Sequence, residues 1–312
     1  MSAPPPRLPP PSGAWGARAV TVRYGHRLAL DQVTFQALPG QVSAVVGGDG
    51  AGRTTLLRCL SGAIAPGGGT VARPARIQVG YLSAGSGTYP DLTVAENLAF
   101  RAAAYQIPAA AAGPRIREYL VRAGLADARD RLAGQLSGGM GQKLGVIAAM
   151  LHHPALLILD EPTTGVDPVS RADLWSLIAR AAAEGAAVVF STSYLDEAER
   201  AAHVLILAEG RELAAGSPGQ IAAAMPGRLW VTGTRPAGPA RARSWRRDGR
   251  WRVWQPEGDR DAAGRFGDPV QPDLQDAVTV AILTRELDGD CTGDRDRSGG
   301  DPAPAPSARE GR

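Results

Sequence analysis

The chain has 312 residues, 44% hydrophobic and 21% charged, which suits one large or two modest packed domains and excludes a wholly disordered or fibrous chain. A net charge of +3 is too small to specify a nucleic-acid partner, and two cysteines, Cys59 and Cys291, are too few for a disulfide framework or a four-ligand zinc site. No apolar run approaches the roughly 18 residues that span a bilayer, and the proline-rich start lacks an apolar signal core, so the chain is expected to be cytosolic.

Residues 1–13 hold six prolines and no periodic pattern, which predicts a flexible, disordered lead. Strands are then expected over Val20–Tyr24, Val33–Ala37 and Gln41–Val46, the last running into a glycine-rich turn and a helix that begins near Gly52. From Val94 to Leu151 the pattern is mostly helical, with breaks expected at Pro108 and Pro114. Ala155–Leu159 is a continuous apolar run, as in a strand buried on both faces of a parallel sheet. A helix over Arg171–Ala183, a buried strand over Ala187–Ser191 and a short helix over Leu195–Ala202 complete a wound α/β unit with an inserted helical lobe at about residues 85–150.

Beyond residue 226 the pattern changes. Short strands over Trp230–Thr234, Ala242–Arg247 and Arg250–Gln255, with Asp248-Gly249 as a hairpin turn, predict a small β-rich extension over residues 227–286. A helix from Asp273 to Glu286 closes it, and the Gly-, Asp- and Pro-rich residues 287–312 read as a disordered tail.

Three short segments carry chemistry. Gly47-Gly48-Asp49-Gly50-Ala51-Gly52-Arg53-Thr54-Thr55 lies between a predicted strand and a helix, the context of a phosphate loop. Glycines there let successive backbone N–H groups face an anion, the helix N-terminus adds a favourable dipole, and Thr54 stands where a hydroxyl would ligate Mg2+. Taken alone, the loop also fits a glycine-rich turn without a ligand. The apolar run ends in Asp160-Glu161-Pro162, which delivers Asp160 toward a metal shell at the sheet edge and Glu161 as a general base for water. Leu136-Ser137-Gly138-Gly139-Met140-Gly141-Gln142 opens a helix with Ser137 as cap, offering a hydroxyl and open N–H groups to an anion.

This combination of phosphate loop, LSGG signature and LILDEP strand resembles the ATP-binding subunits of ABC transporters over about Ala17–Pro218. The extension after it resembles, more weakly, that of ABC-2 type and drug-export ATPases. The resemblance implies a P-loop NTPase core of ABC ATPase type that uses ATP and Mg2+. It implies two such domains stacked head to tail, a homo- or heterodimer. Gly47 to Thr55 would bind phosphates, Thr54 and Asp160 Mg2+, and Glu161 would be the catalytic base. Leu136, Ser137, Gly138, Gly139 and Gln142 would meet the partner's ATP, Tyr24 would stack on adenine, and Asp167 would mark the loop crossing the dimer interface. The implied function is to couple ATP binding and hydrolysis to transport, in the export direction, through a separate membrane permease, with the chain peripheral to the inner face of the cell membrane.

Three positions depart from the family pattern, and all concern the γ-phosphate. Arg53 replaces the loop lysine, in a chain where 33 of 34 basic residues are arginine and Lys143 is the lone lysine. A planar guanidinium is longer and forked where the pattern has a point charge. Ala84 stands where a glutamine is usual, and Ser193, in Ser191-Thr192-Ser193-Tyr194, where a histidine is usual. Since losing one preorganised contact typically costs roughly 10²–10³ in rate, weakened hydrolysis is the expectation, and a degenerate module paired with a competent ATPase subunit, or regulatory, is the alternative. A soluble ABC protein acting on ribosomes or DNA is a third reading, disfavoured because one ATPase unit is present.

Arg241 to Arg252 holds six arginines interleaved with Trp245 and Trp251, a mixture that binds single strands or anionic membranes in some proteins. The favoured reading is a hairpin with tryptophans inward and arginines solvated, so no nucleic-acid partner is expected.

Overall fold

A computed structural model describes residues 14–258, 266 and 269–293, so the lead over 1–13 and residues 294–312 lie outside the described residues. The chain divides into two units after Ile221.

In the first unit, β1 (Trp15–Tyr24) and β2 (Arg27–Ala37) form a long hairpin, and β4 (Gly68–Ala72), which follows β3 (Val42–Val46) and α1 (Arg53–Ser61) in the chain, adds to its other side in the order β2-β1-β4. The second sheet continues with β5 (Val79–Leu82), β6 (Leu156–Asp160), β7 (Ala187–Thr192), β8 (His203–Ala208) and β9 (Arg211–Gly216), in the order β5-β6-β7-β3-β8-β9. Every pairing is parallel except that of β8 with β9. Strands β6 and β7 are buried along their whole length, which is why their sequences are unbroken rather than alternating. Leu56, Leu57 and Leu60 of α1 fill one core with Val45, Ile158, Val189 and Leu205 of the parallel sheet and Val20, Leu30 and Val33 of the hairpin. That packing fixes the start of α1 above the sheet edge.

Between β5 and β6 run α2 (Val94–Ala104), α3 (Ala109–Arg122) and α4 (Gly138–Met150). Thr93 and Glu96 form a reciprocal capping box on α2. Pro114 does not break the lobe, contrary to the expectation from sequence: it sits inside α3, in the second turn, where it removes a single backbone donor. After β6 come α5 (Pro168–Ala183), begun by the Asp167 cap, and α6 (Leu195–Ala198), shorter than expected. α7 (Pro218–Ala223) follows β9.

In the second unit β10 (Arg228–Thr232), β11 (Ser244–Arg247), β12 (Arg250–Gln255) and β13 (Pro269–Val270) make an antiparallel sheet ordered β11-β12-β10-β13. Asp248 and Gly249 both take positive φ in the β11–β12 turn. The start of the expected Ala242–Arg247 strand is instead a 3-10 turn over Gly238–Arg243. α8 runs over Leu274–Gly293, so residues 287–293, expected in a disordered tail, continue a helix. The arginines are not all solvated either. Arg247 donates to Asp273 and Asp276, and Arg252 to Asp276, a carboxylate with no solvent exposure. Of the tryptophans, Trp254 is buried and donates its ring N–H to the Pro226 carbonyl, while Trp245 and Trp251 are half-buried.

Candidate nucleotide site

Parallel pairing puts the ends of four strands along one sheet edge. Val46 of β3 is level with Thr192 of β7, Asp160 of β6 with Ser191, and Leu82 of β5 with Leu159. The phosphate loop, Asp160-Glu161, Ser193 and Ala84 therefore all emerge at the same edge, where an open α/β sheet presents its ligands.

The loop over residues 47–52 is held from behind. A side chain at Gly47 would begin 2.6 Å from the Leu207 carbonyl oxygen, and one at Gly52, whose φ is +104°, 2.6 Å from that of Ala29. Gly48 by contrast faces open space. Gly52 N-caps α1 without a side chain, leaving the first N–H groups of that helix to an outside acceptor. Asp49 and Gly50 are exposed, Ala51 is buried, and Thr54 and Thr55 at the start of α1 are half-buried. Tyr24, last residue of β1, keeps 48% of its surface exposed, as a stacking platform requires.

Arg53 does not reach into solvent. It is 6% exposed, and its Nη2 donates to Glu161 Oε1 at 2.6 Å and lies 3.5 Å from Asp49 Oδ1. Its Nη1 is buried without a hydrogen-bond partner. Glu161 has a left-handed backbone, φ +51°, a conformation uncommon for a non-glycine residue and concentrated at functional sites. Its N–H donates to Ser191 Oγ at 2.9 Å, while Ser191 Oγ donates to Asp160 Oδ1 at 2.6 Å. Thr164 Oγ1 donates to the other Glu161 oxygen at 3.2 Å. Asp160 is 1% exposed, and its Oδ2 is buried without a partner.

Ser191 was legible only as a strand end; its role as the bridge between both acids depends on register. Glu197 is a second residue that sequence reasoning passed over. It is 2% exposed, and its Oε2 accepts from Thr163 Oγ1 at 2.9 Å and Thr192 Oγ1 at 2.7 Å. This clasp joins the loop after Glu161 to the turn that carries Ser193. Ser193 and Ala84 are themselves exposed.

The LSGG segment sits elsewhere, beside the start of α5. Ser137 caps α4 by accepting from Met140 N at 3.3 Å, and Gly139 packs so closely that an added Cβ would lie 3.0 Å from Ser170 Oγ. Ser137 and Gly138 are exposed; Leu136 and Gln142 are half-buried. Asp167 accepts from Val169 N and Ser170 N at 3.0 Å each, and the Ser170 bonds hold its carboxyl below the usual range. The lone lysine, Lys143, pairs with Asp173 at 2.5 Å between α4 and α5.

Known proteins resemble this chain in sequence and in fold. Residues 30–164 match the family model described as ABC transporter. The chain is 40% identical over 202 residues to the probable multidrug ABC transporter ATP-binding protein YbhF of Escherichia coli K12, covering 62% of this chain but 35% of that protein, so it spans about a third of that relative's length. It is 36% identical over 211 residues to the Nod factor export ATP-binding protein I of Paraburkholderia xenovorans LB400, covering 64% of this chain and 69% of that one. Among solved structures, an ATP-binding subunit of an ABC transporter superposes with a TM-score of 0.62 at 29% identity, covering 66% of this chain and 91% of that chain. By sequence, fold and the placing of its motifs, the chain belongs to the family of ABC transporter ATP-binding proteins.

Proposed function

We propose that this chain is the ATP-binding subunit of an ABC exporter, coupling ATP binding and hydrolysis to a separate membrane permease. The observation that carries this reading is the pair of buried, unsatisfied polar atoms at the sheet edge, Arg53 Nη1 and Asp160 Oδ2. An orphaned cationic donor and an orphaned carboxylate oxygen are costly to bury, and a metal-bound phosphate answers both. Thr54 and Asp160 would hold Mg2+, which supplies charge neutralisation for phosphoryl transfer. The N–H groups of residues 48–53 and the Arg53 guanidinium would bind phosphate oxygens, and Tyr24 would receive the adenine face.

Glu161 is the group placed to take a proton from water, oriented by its backbone bond to Ser191. Ser137, Gly138 and Gly139, exposed at the head of α4 or packed on α5, would face the nucleotide of a second ATPase subunit, with Asp167 fixing the intervening turn. The relatives named for multidrug and Nod factor export support the direction of transport. Among the described residues no helix is long and apolar enough to cross a membrane. In this reading the permease is a separate chain, and the ATP-binding subunit lies against it at the inner membrane face.

Calorimetric titration with ATP, with and without Mg2+, tests the reading. Saturable binding that tightens with Mg2+ and weakens in Asp160→Asn is expected. A folded protein that takes up no ATP contradicts it.

A further inference from the structure

Arg53 has two partners to serve with one side chain. Its Nη2 is engaged by Glu161 at 2.6 Å, and its Nη1 is buried and unpartnered in a residue that is only 6% exposed. A guanidinium holds its two forks in a fixed plane, so one fork bonded to a carboxylate dictates where the other points. The acceptor is an oxygen that Glu161 would use toward water, and its sister oxygen already accepts from Thr164. With both oxygens bonded and its φ at +51°, Glu161 is fixed in position by the loop arginine across the site.

We infer that Arg53 is the counter-ion and positioning residue of Glu161, and that nucleotide phosphate competes with Glu161 for this guanidinium. The inference rests on the nucleotide-binding reading above and assigns Arg53 a second role beyond phosphate contact. Nη2 already lies beside two carboxylates, Glu161 at 2.6 Å and Asp49 at 3.5 Å, and a phosphate that draws the unpartnered Nη1 toward the loop turns the rigid guanidinium plane and carries Nη2 away from Glu161. Binding of nucleotide therefore carries the cost of releasing Glu161, and the released carboxylate oxygen becomes open to water. A lysine at position 53, with one compact ammonium, would not impose this exchange with the same geometry.

The test is a double-mutant cycle on the full chain: wild type, Arg53→Lys, Glu161→Gln and the double variant. ADP with Mg2+ is the probe, since it lacks the γ-phosphate that Glu161 would most directly repel. Two quantities are read, the Kd by calorimetry and the melting temperature without nucleotide. With Arg53 present, Glu161→Gln is expected to tighten ADP about tenfold, and in the Arg53→Lys background by less than about threefold, as coupled neighbours behave. Melting without nucleotide should fall more for Glu161→Gln when arginine is present, because a buried guanidinium loses its counter-ion.

Equal tightening in both backgrounds would reduce the effect to plain charge repulsion and overturn the inference. So would an unchanged Kd for Glu161→Gln in a wild-type background that binds ADP well; either result leaves nucleotide binding itself standing. Absence of ADP and ATP binding in all four folded proteins overturns both readings together. If Glu161→Gln does not fold, Glu161→Asp, which withdraws the carboxylate from Arg53 by one methylene, should give the same arginine-dependent tightening, and equal effects in the two backgrounds would again refute it.

Discussion

Arg53 illustrates how one side chain changes meaning between sequence and structure. As a departure from a lysine pattern it looks like a steric misfit, yet its guanidinium is buried and bonded to Glu161. The partner could not be read from spacing, because 108 residues separate the two and only β-sheet order brings them together. Ser191 makes the same point with a hydroxyl. It donates to Asp160 and accepts from the Glu161 N–H, so Ser191→Ala should cost on the order of 1–3 kcal/mol in urea unfolding and weaken the Mg2+ dependence of ATP binding. His152 shows the effect of burial. It stacks on Tyr105 at 3.6 Å, and desolvation pushes its pKa from 6.5 down to about 4. A folded pKa below the unfolded value means the unfolded chain binds the extra proton, so this contribution is complete above pH 6.5 and is lost as pH falls from 6.5 toward 4. His152→Phe keeps the stack and removes the titration, so in chemical denaturation the stability of wild type relative to the variant should decline as pH falls through that window.

Among the elements, burial on both faces made β6 and β7 legible but not β8, whose buried apolar run over residues 204–207 was passed over. β6 and β7 announce themselves as unbroken apolar runs, and the Asp160 and Ser191 positions at their ends follow from parallel register. β4 and β9 were not legible, because Gly68-Gly69 and Arg211-Glu212 dilute any period-two pattern and both strands lie at sheet edges, exposed or half-buried. Pro114 was read as a stop, but in the second turn of α3 it removes only one donor and the rest of the helix offsets that loss. The Glu197 clasp is a property of elements rather than of any motif, since its carboxylate ties Thr163 after β6 to Thr192 at the end of β7. Glu197→Ala leaves two buried hydroxyls without their acceptor and should destabilise the first unit by about 2–4 kcal/mol, measured by chemical denaturation. Thr163→Val/Thr192→Val/Glu197→Leu, which removes both hydroxyls together with their acceptor and leaves only the Tyr194 N–H and Arg171 to find water, should be less damaging than Glu197→Ala.

At the scale of the whole chain, each unit has an apolar core, and the second adds a charge cluster to it. The first is organised by a large core between its sheets, while the second buries Leu229, Trp230, Val253 and Trp254 of its sheet and Leu274, Ala277 and Val280 of its helix and also joins the two through Arg247, Arg252, Asp273 and Asp276. Burial of Asp276, at 0% side-chain exposure, makes that carboxylate the anchor of the cluster. Asp276→Ala should unfold the second unit selectively, by about 3–5 kcal/mol, seen as an early transition in denaturation followed by tryptophan emission, because Trp230, Trp245, Trp251 and Trp254 all lie there. The same cluster accounts for part of the basic stretch that sequence alone presented as a candidate anion-binding surface, since Arg247 and Arg252 are committed to carboxylates.

The function proposed for this sheet edge is tested most directly by phosphate release from Mg2+-ATP by the purified chain, compared with Glu161→Gln at equal ATP occupancy. Slow turnover is expected of the wild type, consistent with Ala84 and Ser193, and its loss is expected in Glu161→Gln while ATP remains bound. Undiminished turnover in Glu161→Gln would place water activation elsewhere and contradict the assignment of Glu161, and with it the function built on this sheet edge.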